Sequence, residues 1–260
     1  MSRGKKILRL FGILLVVICF AGVIMLTSFN SKTQINSVCE NMHINISKEQ
    51  NLFFVDEADI QNMLIQMLGD SVKGEKLNEI PMSSIEKIIE KNPYVDHAET
   101  FLDANGDLHI DIVQKQPLAR VINRYGVHFY ISEKGNKIPV SGKFTSRVPV
   151  ITGAIDEGNQ NPDTIETQTL NNVLQLARFI HKNTFWNAQI EQIAVSSNGD
   201  ITLVPKLGDQ LIQFGTIENM DKKFSNLELF YKKGLNYTGW EKYDLINVEF
   251  DGQVVCKKKQ

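Results

Sequence analysis

Residues 83–121 read SSIEKIIEKNPYVDHAETFLDANGDLHIDIVQKQPLARV. Ile85, Ile88 and Ile89 recur at helical spacing, and the apolar stripe stops at Asn92-Pro93, because proline disfavours the α conformation in the residue before it. The spacing predicts a helix over Pro81 to Lys91. Val95 to Leu102 follows as a strand, and Asp103-Ala104-Asn105-Gly106-Asp107 is a cluster of turn formers. Leu108, Ile110 and Ile112 then alternate with His109, Asp111 and Val113, the period of a third strand.

Towards the N-terminus, Met42, Ile44 and Ile46 alternate with His43 and Asn45, so Ile35 to Ile46 holds a half-buried strand. Phe53-Phe54-Val55 leads into Asp56-Glu57-Ala58-Asp59, an N-cap with acids in the first helical turn. Ile60, Met63, Leu64, Met67 and Leu68 share one face of that helix, and Gly69 ends it. A polar loop runs to Asn78. The order strand, helix, helix, strand, strand is an α+β module of two layers over one small core, placed at residues 35–116.

Residues 117–256 form a second module. Ala119-Val121-Asn123 and Val127-Phe129-Ile131 read as strands, with a turn at Glu133-Lys134-Gly135-Asn136. A helix is expected from about Asp163-Thr164, burying Leu170, Val173, Leu174 and Ala177. Strands follow at Ile190–Ser196 and Ile201–Val204 around the turn Ser197-Asn198-Gly199-Asp200, and another at Leu211–Phe214. A last helix over about Ile217–Lys233 buries Met220, Phe224, Leu227 and Leu229 or Phe230, with Gly234 as its cap. Leu245–Phe250, the turn Asp251-Gly252 and Gln253–Cys256 close the chain. Lys257-Lys258-Lys259-Gln260 is a short basic tail, expected to be solvated. Trp186 and Trp240 sit near element ends, as buried residues or as exposed anchors.

The first thirty residues hold Arg3, Lys5, Lys6 and Arg9 and no acid. Leu10 to Leu26 is uncharged, and with Thr27, Ser28 and Phe29 the stretch 10–29 is long enough to cross a bilayer core of roughly 30 Å. The basic flank keeps residues 1–9 cytoplasmic and sends the bulk of the chain to the extracytoplasmic or periplasmic side. The run is longer than the apolar region of a signal peptide and lacks a small-residue cleavage pattern, so a retained single-pass anchor in the cell (inner) membrane is expected.

The rest of the 260-residue chain carries 24 basic and 30 acidic side chains. An acidic bulk without a basic stripe argues against nucleic-acid binding, where phosphate contacts dominate. Of the three cysteines, Cys39 and Cys256 read as two buried thiols; a bridge between them would need the first and last strands to meet. The five histidines are scattered without metal-ligand spacing. Asp107, His109 and Asp111 share a strand face and are expected to be a solvated surface. Ser84-Ile85-Glu86-Lys87 matches S-x-x-K, but no S-D-N or K-T-G accompanies it. No catalytic, cofactor-binding or metal-binding residue is expected, and no small-molecule substrate.

The stretch 83–121, with Asn92-Pro93-Tyr94-Val95 leading to a hairpin and then to Pro117-Leu118-Ala119, resembles the membrane-proximal POTRA domain of the FtsQ/DivIB cell-division proteins. Val148-Pro149-Val150-Ile151-Thr152-Gly153 resembles the family's Leu-Pro-Xaa-Leu-Xaa-Gly element. Ile246-Asn247-Val248-Glu249-Phe250 stands where the family often has Ile-Asp-Leu-Arg-aromatic. The resemblance covers the whole chain, with tail, span, POTRA domain and a mixed α/β "β domain" on an open, mostly antiparallel sheet. It implies a non-enzymatic divisome scaffold, concentrated at the septum, that links early and late septation proteins. Its partners would be FtsB and FtsL and, through them, the septal peptidoglycan synthases. FtsB would add a strand beside the last strand, Val248–Cys256, with Val248, Phe250, Gln253, Val254, Val255 and Cys256 as the contacts. The alternative is a POTRA-containing envelope transport or assembly adaptor.

Overall fold

The computed structural model describes residues 20, 38–47, 51–69, 74–235, 237 and 239–259. These fall into two units. The first holds residues up to Ser47 and Asp56–Val113; the second holds Lys48–Val55 and Gln114–Gln260.

In the first unit, β1 (Met42–Ile46), β3 (Leu108–Gln114) and β2 (Val95–Leu102) form a sheet of order β1-β3-β2. β1 and β3 run parallel, with His43 opposite His109 and Asn45 opposite Asp111. Helices α1 (Glu57–Leu68) and α2 (Met82–Glu90) complete the unit. Asp56 caps α1 reciprocally with Asp59: each carboxylate accepts the other residue's N–H at 3.0 Å, satisfying donors that a helix start leaves open. The core joins Ile60, Leu64, Ile85, Ile89, Val95, Leu108, Ile110 and Ile112. The buried stripe of α1 is narrower than expected: Met63 and Leu68 are partly buried and Met67 is exposed.

The second unit is a nine-stranded sheet of order β12-β11-β10-β9-β8-β7-β4-β5-β6. Its strands are β4 (Pro117–Ile122), β5 (His128–Ser132), β6 (Lys137–Pro139), β7 (Val150–Gly153), β8 (Ile190–Val195), β9 (Ile201–Pro205), β10 (Leu211–Gly215), β11 (Tyr243–Asn247) and β12 (Val255–Lys258). Three of the eight pairings are parallel, namely β4 with β7, β7 with β8, and β10 with β11; the other five are antiparallel. Alternate side chains of β8 and β9 are buried while their neighbours are half-buried or exposed, the signature of a sheet covered more fully on one face. Helices α3 (Gln168–Lys182), α4 (Thr184–Gln189) and α5 (Met220–Leu229) contribute Leu170, Val173, Leu176, Trp186, Phe224 and Leu227 to that core. Phe224 is in ring contact with Phe179, Trp186 and Phe214 at 4.8–5.1 Å. Trp186 is thus a core residue, and Trp240 is partly buried against the same cluster.

Several boundaries differ from the sequence expectation, each for a tertiary reason. Helix α3 begins at Gln168, not near Asp163-Thr164. The carboxylate of Glu157 accepts the N–H groups of Glu166 and Thr167 at 2.9 Å, which holds the chain extended up to Thr167. Helix α5 begins at Met220, not near Ile217, because Asn219 just before it is left-handed at φ +54° and interrupts the helical path. The Lys223 ammonium ties the helix back to the carbonyls of Phe214 (3.0 Å) and Thr216 (2.8 Å). Within α5 only Phe224 and Leu227 of the expected face are fully buried, and Leu229 is exposed. After Leu229 the chain continues as a π-helical turn, Phe230–Leu235. Gly234 lies inside that turn and does not cap it: a Cβ there would sit 2.5 Å from the Phe230 ring. The connection between β1 and α1 also groups with the second unit. Gln114 Oε1 accepts the N–H groups of Phe54 (2.9 Å) and Val55 (3.2 Å), and its Nε2 donates to the Leu52 carbonyl (3.0 Å).

Candidate functional site

The outermost strand of the large sheet is β12, and its place in the chain corrects the expected strand Val248–Cys256. Strand β11 ends at Asn247, because the Asn247 side chain accepts the Glu249 N–H at 2.8 Å, a local turn that competes with the ladder. Val248 is 2% exposed and packs in the core, so it faces inward. Phe250 is half exposed on the connection, Asp251-Gly252 is the turn, Gln253 is exposed, and Val254 is partly buried against the core. Val255 and Cys256 alone of the expected contacts lie in β12, Val255 exposed and Cys256 turned to the core. Lys257 and Lys258 are strand residues and not a tail, and Lys259 pairs its side chain with Asp209 at 3.0 Å.

The hydrogen-bonding sides of β12 follow from one bond. The Lys259 N–H donates to the Lys242 carbonyl at 3.0 Å. Since alternate residues of a strand direct their backbone groups to the same side, Lys257 and Val255 also face β11, opposite Leu245 and Asn247. Cys256 and Lys258 therefore turn their N–H and C=O groups outward, where the sheet order has no further strand among the described residues. The opposite edge, β6, is different: the Lys137 N–H donates to the Pro162 carbonyl at 2.6 Å, so a segment of the same unit covers it. Beside the turn before β12 lies a groove of about 350 Å³, lined by Leu229, Phe230, Gly234, Gln253 and Val254 among others.

Polar side chains around this edge are engaged in hydrogen bonds within the sheet. Glu249 Oε2 accepts from the side-chain amides of Gln213 (2.9 Å) and Asn247 (3.0 Å), tying β10 to β11; the Asn and Glu that stand at the family's Asp and Arg positions form a network of their own. Burial pushes the Lys223 ammonium below its ordinary pKa, against the opposing pull of Glu249. Burial likewise pushes the Cys256 thiol up, away from the reactive thiolate. Cys39 and Cys256 are both free.

The other singled-out residues have structural partners. Asp103 Oδ1 accepts the N–H groups of Asn105 (2.8 Å) and Asp107 (3.0 Å), which holds its carboxyl below the usual range and closes the hairpin. His109 stacks between Phe101 and His43, at 5.0 Å from each. Asp111 accepts from Asn45 at 3.1 Å. Ser84 and Lys87 are exposed on α2. Among the described residues no cluster of His, Cys, Asp and Glu forms a metal-binding group. No helix among them is long and apolar enough to cross a membrane. The span expected over residues 10–29 lies outside the described residues except for Phe20, as do Arg3, Lys5, Lys6 and Arg9.

The described residues thus form a small three-stranded domain followed by an open mixed sheet with β12 as one terminal strand. The family model described as "POTRA-like domain" matches residues 37–113, and the model described as "FtsQ/DivIB, C-terminal related" matches residues 116–257, more than half of the chain. The chain belongs to the FtsQ/DivIB family. Its two domains point to a cell-division scaffold, from a family that is non-enzymatic, associates with the membrane at the division site and has other division proteins as partners. No curated protein matches the chain.

Proposed function

We propose that this chain is a single-pass divisome scaffold whose β12 edge receives a strand from FtsB, and that it recruits FtsL and the septal peptidoglycan synthases through that contact. The observation that carries this function is the terminal position of β12 with the backbone groups of Cys256 and Lys258 turned outward. Strand addition uses such groups for affinity and side-chain seats for specificity. Of the six contacts expected from the sequence, Cys256 turns its backbone outward at the edge, and Val255 lies beside it in β12 with its side chain exposed. Gln253 and Val254 flank it and line the 350 Å³ groove, Phe250 is exposed on the connection before them, and Val248 supports it from the core. Residues 10–29 are the anchor in this proposal, with Arg3, Lys5, Lys6 and Arg9 holding the tail in the cytoplasm. Confinement to the membrane plane raises the effective concentration of equally tethered partners, so a short edge suffices.

Lys258→Pro tests the edge. It removes one outward N–H and puts a ring where an incoming strand must lie, while the inward pairs at Val255, Lys257 and Lys259 remain. FtsB is expected to co-purify at least about tenfold less with Lys258→Pro than with Lys258→Ala, the loss of a backbone bond and its neighbour being enough for that ratio. Equal recovery of FtsB by both variants refutes strand addition at β12. A fluorescent fusion at midcell supports the division role, and uniform envelope staining supports a transport or assembly adaptor.

A further inference from the structure

The first unit also ends in a terminal strand. In the order β1-β3-β2, strand β2 lies outermost, and such a strand ordinarily offers its outward donors to another chain. Here two of them are occupied from within. Glu86 Oε1 accepts the Thr100 N–H at 2.8 Å and the Thr100 hydroxyl at 2.9 Å. Glu90 Oε1 accepts the Ala98 N–H at 3.3 Å and the His97 ring at 2.8 Å. Both glutamates come from α2, four residues apart, a rise of about 6 Å along a helix. Ala98 and Thr100 are two residues apart, about 6.7 Å along a strand. The two spacings nearly match, so one helix face supplies acceptors in register with successive outward donors, as the carbonyls of a neighbouring strand would. Glu86, Glu90, His97 and Ala98 border a hollow of about 540 Å³ on the surface of the same unit.

We propose that Glu86 and Glu90 are an autoinhibitory cap that keeps β2 closed to strand addition, and that removing it lets β2 pair with β2 of a second copy. Antiparallel pairing centred on Ala98 uses the freed N–H groups. It also sets His97 of each copy opposite Glu99 of the other, a complementary cross-strand pair on both sides of the axis. The cap is independent of the role of β12.

The test uses the full chain in detergent, carrying Lys258→Pro so that β12 contributes nothing, with oligomeric state read by sedimentation. The parent is expected to be monomeric and Glu86→Ala/Glu90→Ala to form a concentration-dependent dimer. Glu86→Gln/Glu90→Gln keeps an acceptor oxygen at each position and is expected to stay monomeric. A folded alanine pair that remains monomeric, or a glutamine pair that dimerises equally, overturns the proposal. The single variant Glu86→Ala keeps the test open if the double variant does not fold. At a concentration where it is monomeric, the Thr100 amide is expected to exchange at least about tenfold faster than in the parent, as loss of a charge-assisted bond requires, and unchanged exchange refutes the cap.

Discussion

Replacing Lys137 by methionine is expected to destabilise the large-sheet unit by about 3–5 kcal/mol, the cost of leaving a buried charge without its partner. Lys137 and Glu157 meet at 2.7 Å with side chains 1% and 3% exposed. Glu157 also accepts the N–H groups of Glu166 and Thr167 and the Thr167 hydroxyl. It therefore sets the start of α3 as well as holding β6, and its charge cannot be relieved by water. Burial alone would push the Glu157 carboxyl up. The lysine, the hydroxyl and the two backbone donors together outweigh burial and hold it below the ordinary glutamate value. A carboxyl whose pKa is depressed on folding contributes stability above its unfolded pKa and loses it as pH falls through the folded value. The parent is therefore expected to lose stability as the pH is taken below about 4.5, the ordinary glutamate value, and Glu157→Gln to show a shallower acid dependence from a lower starting point. Both of the chain's tryptophans, Trp186 and Trp240, lie in the large-sheet unit, so urea unfolding followed by tryptophan fluorescence reads this unit alone. A midpoint within error of the parent for Lys137→Met would show that the ion pair carries no such weight.

Gly153→Ala is expected to cost a comparable amount, about 3–5 kcal/mol, from backbone strain and overpacking together. Gly153 has φ +103°, outside the range L residues adopt readily, and a Cβ there would lie 2.0 Å from the Val195 carbonyl oxygen. That oxygen also accepts the Ala154 N–H at 2.8 Å, and Gly153 is paired with Val195 at the end of the parallel β7–β8 ladder. The clash is with backbone, which cannot swing aside as a side-chain end can. Relief requires β7 and β8 to part, at the middle of the nine-stranded order. The same fluorescence-detected unfolding measures it, and a loss below about 1 kcal/mol, the central cost of a point substitution, would show that the ladder yields easily. This is the physical content of the glycine in Val148-Pro149-Val150-Ile151-Thr152-Gly153.

Much of the architecture is legible along the chain because it rests on local periods. The alternation of Leu108, Ile110 and Ile112, the stripe of Ile85 and Ile89, the stop at Asn92-Pro93 and the reciprocal cap begun by Asp56 each follow from a few neighbouring residues. Strand β6 escapes such reading: it is three residues long, and its one charged member is buried by a partner twenty positions away. The starts of α3 and α5 escape it too, since Glu157 holds the chain before α3 through bonds to Glu166 and Thr167 and a left-handed Asn219 breaks the path into α5. At the candidate edge the local signal misplaces the strand. Val248 to Cys256 is expected to carry the edge, but the Asn247–Glu249 turn ends β11 and the lysines after Cys256, which resemble a solvated tail, continue the ladder as β12.

Composition and spacing thus mark the helical and extended segments that have a strong local period, and their order; the family rests on the resemblance of particular motifs and on the matched domains. Which strand ends each sheet, that Pro162 covers β6, that Glu86 and Glu90 accept from β2, and that β12 is terminal among the described residues are properties of the folded molecule. A strand's periodicity records only which of its faces is buried. Its hydrogen-bonding sides carry no side chains, and their partners are chosen when distant segments come together.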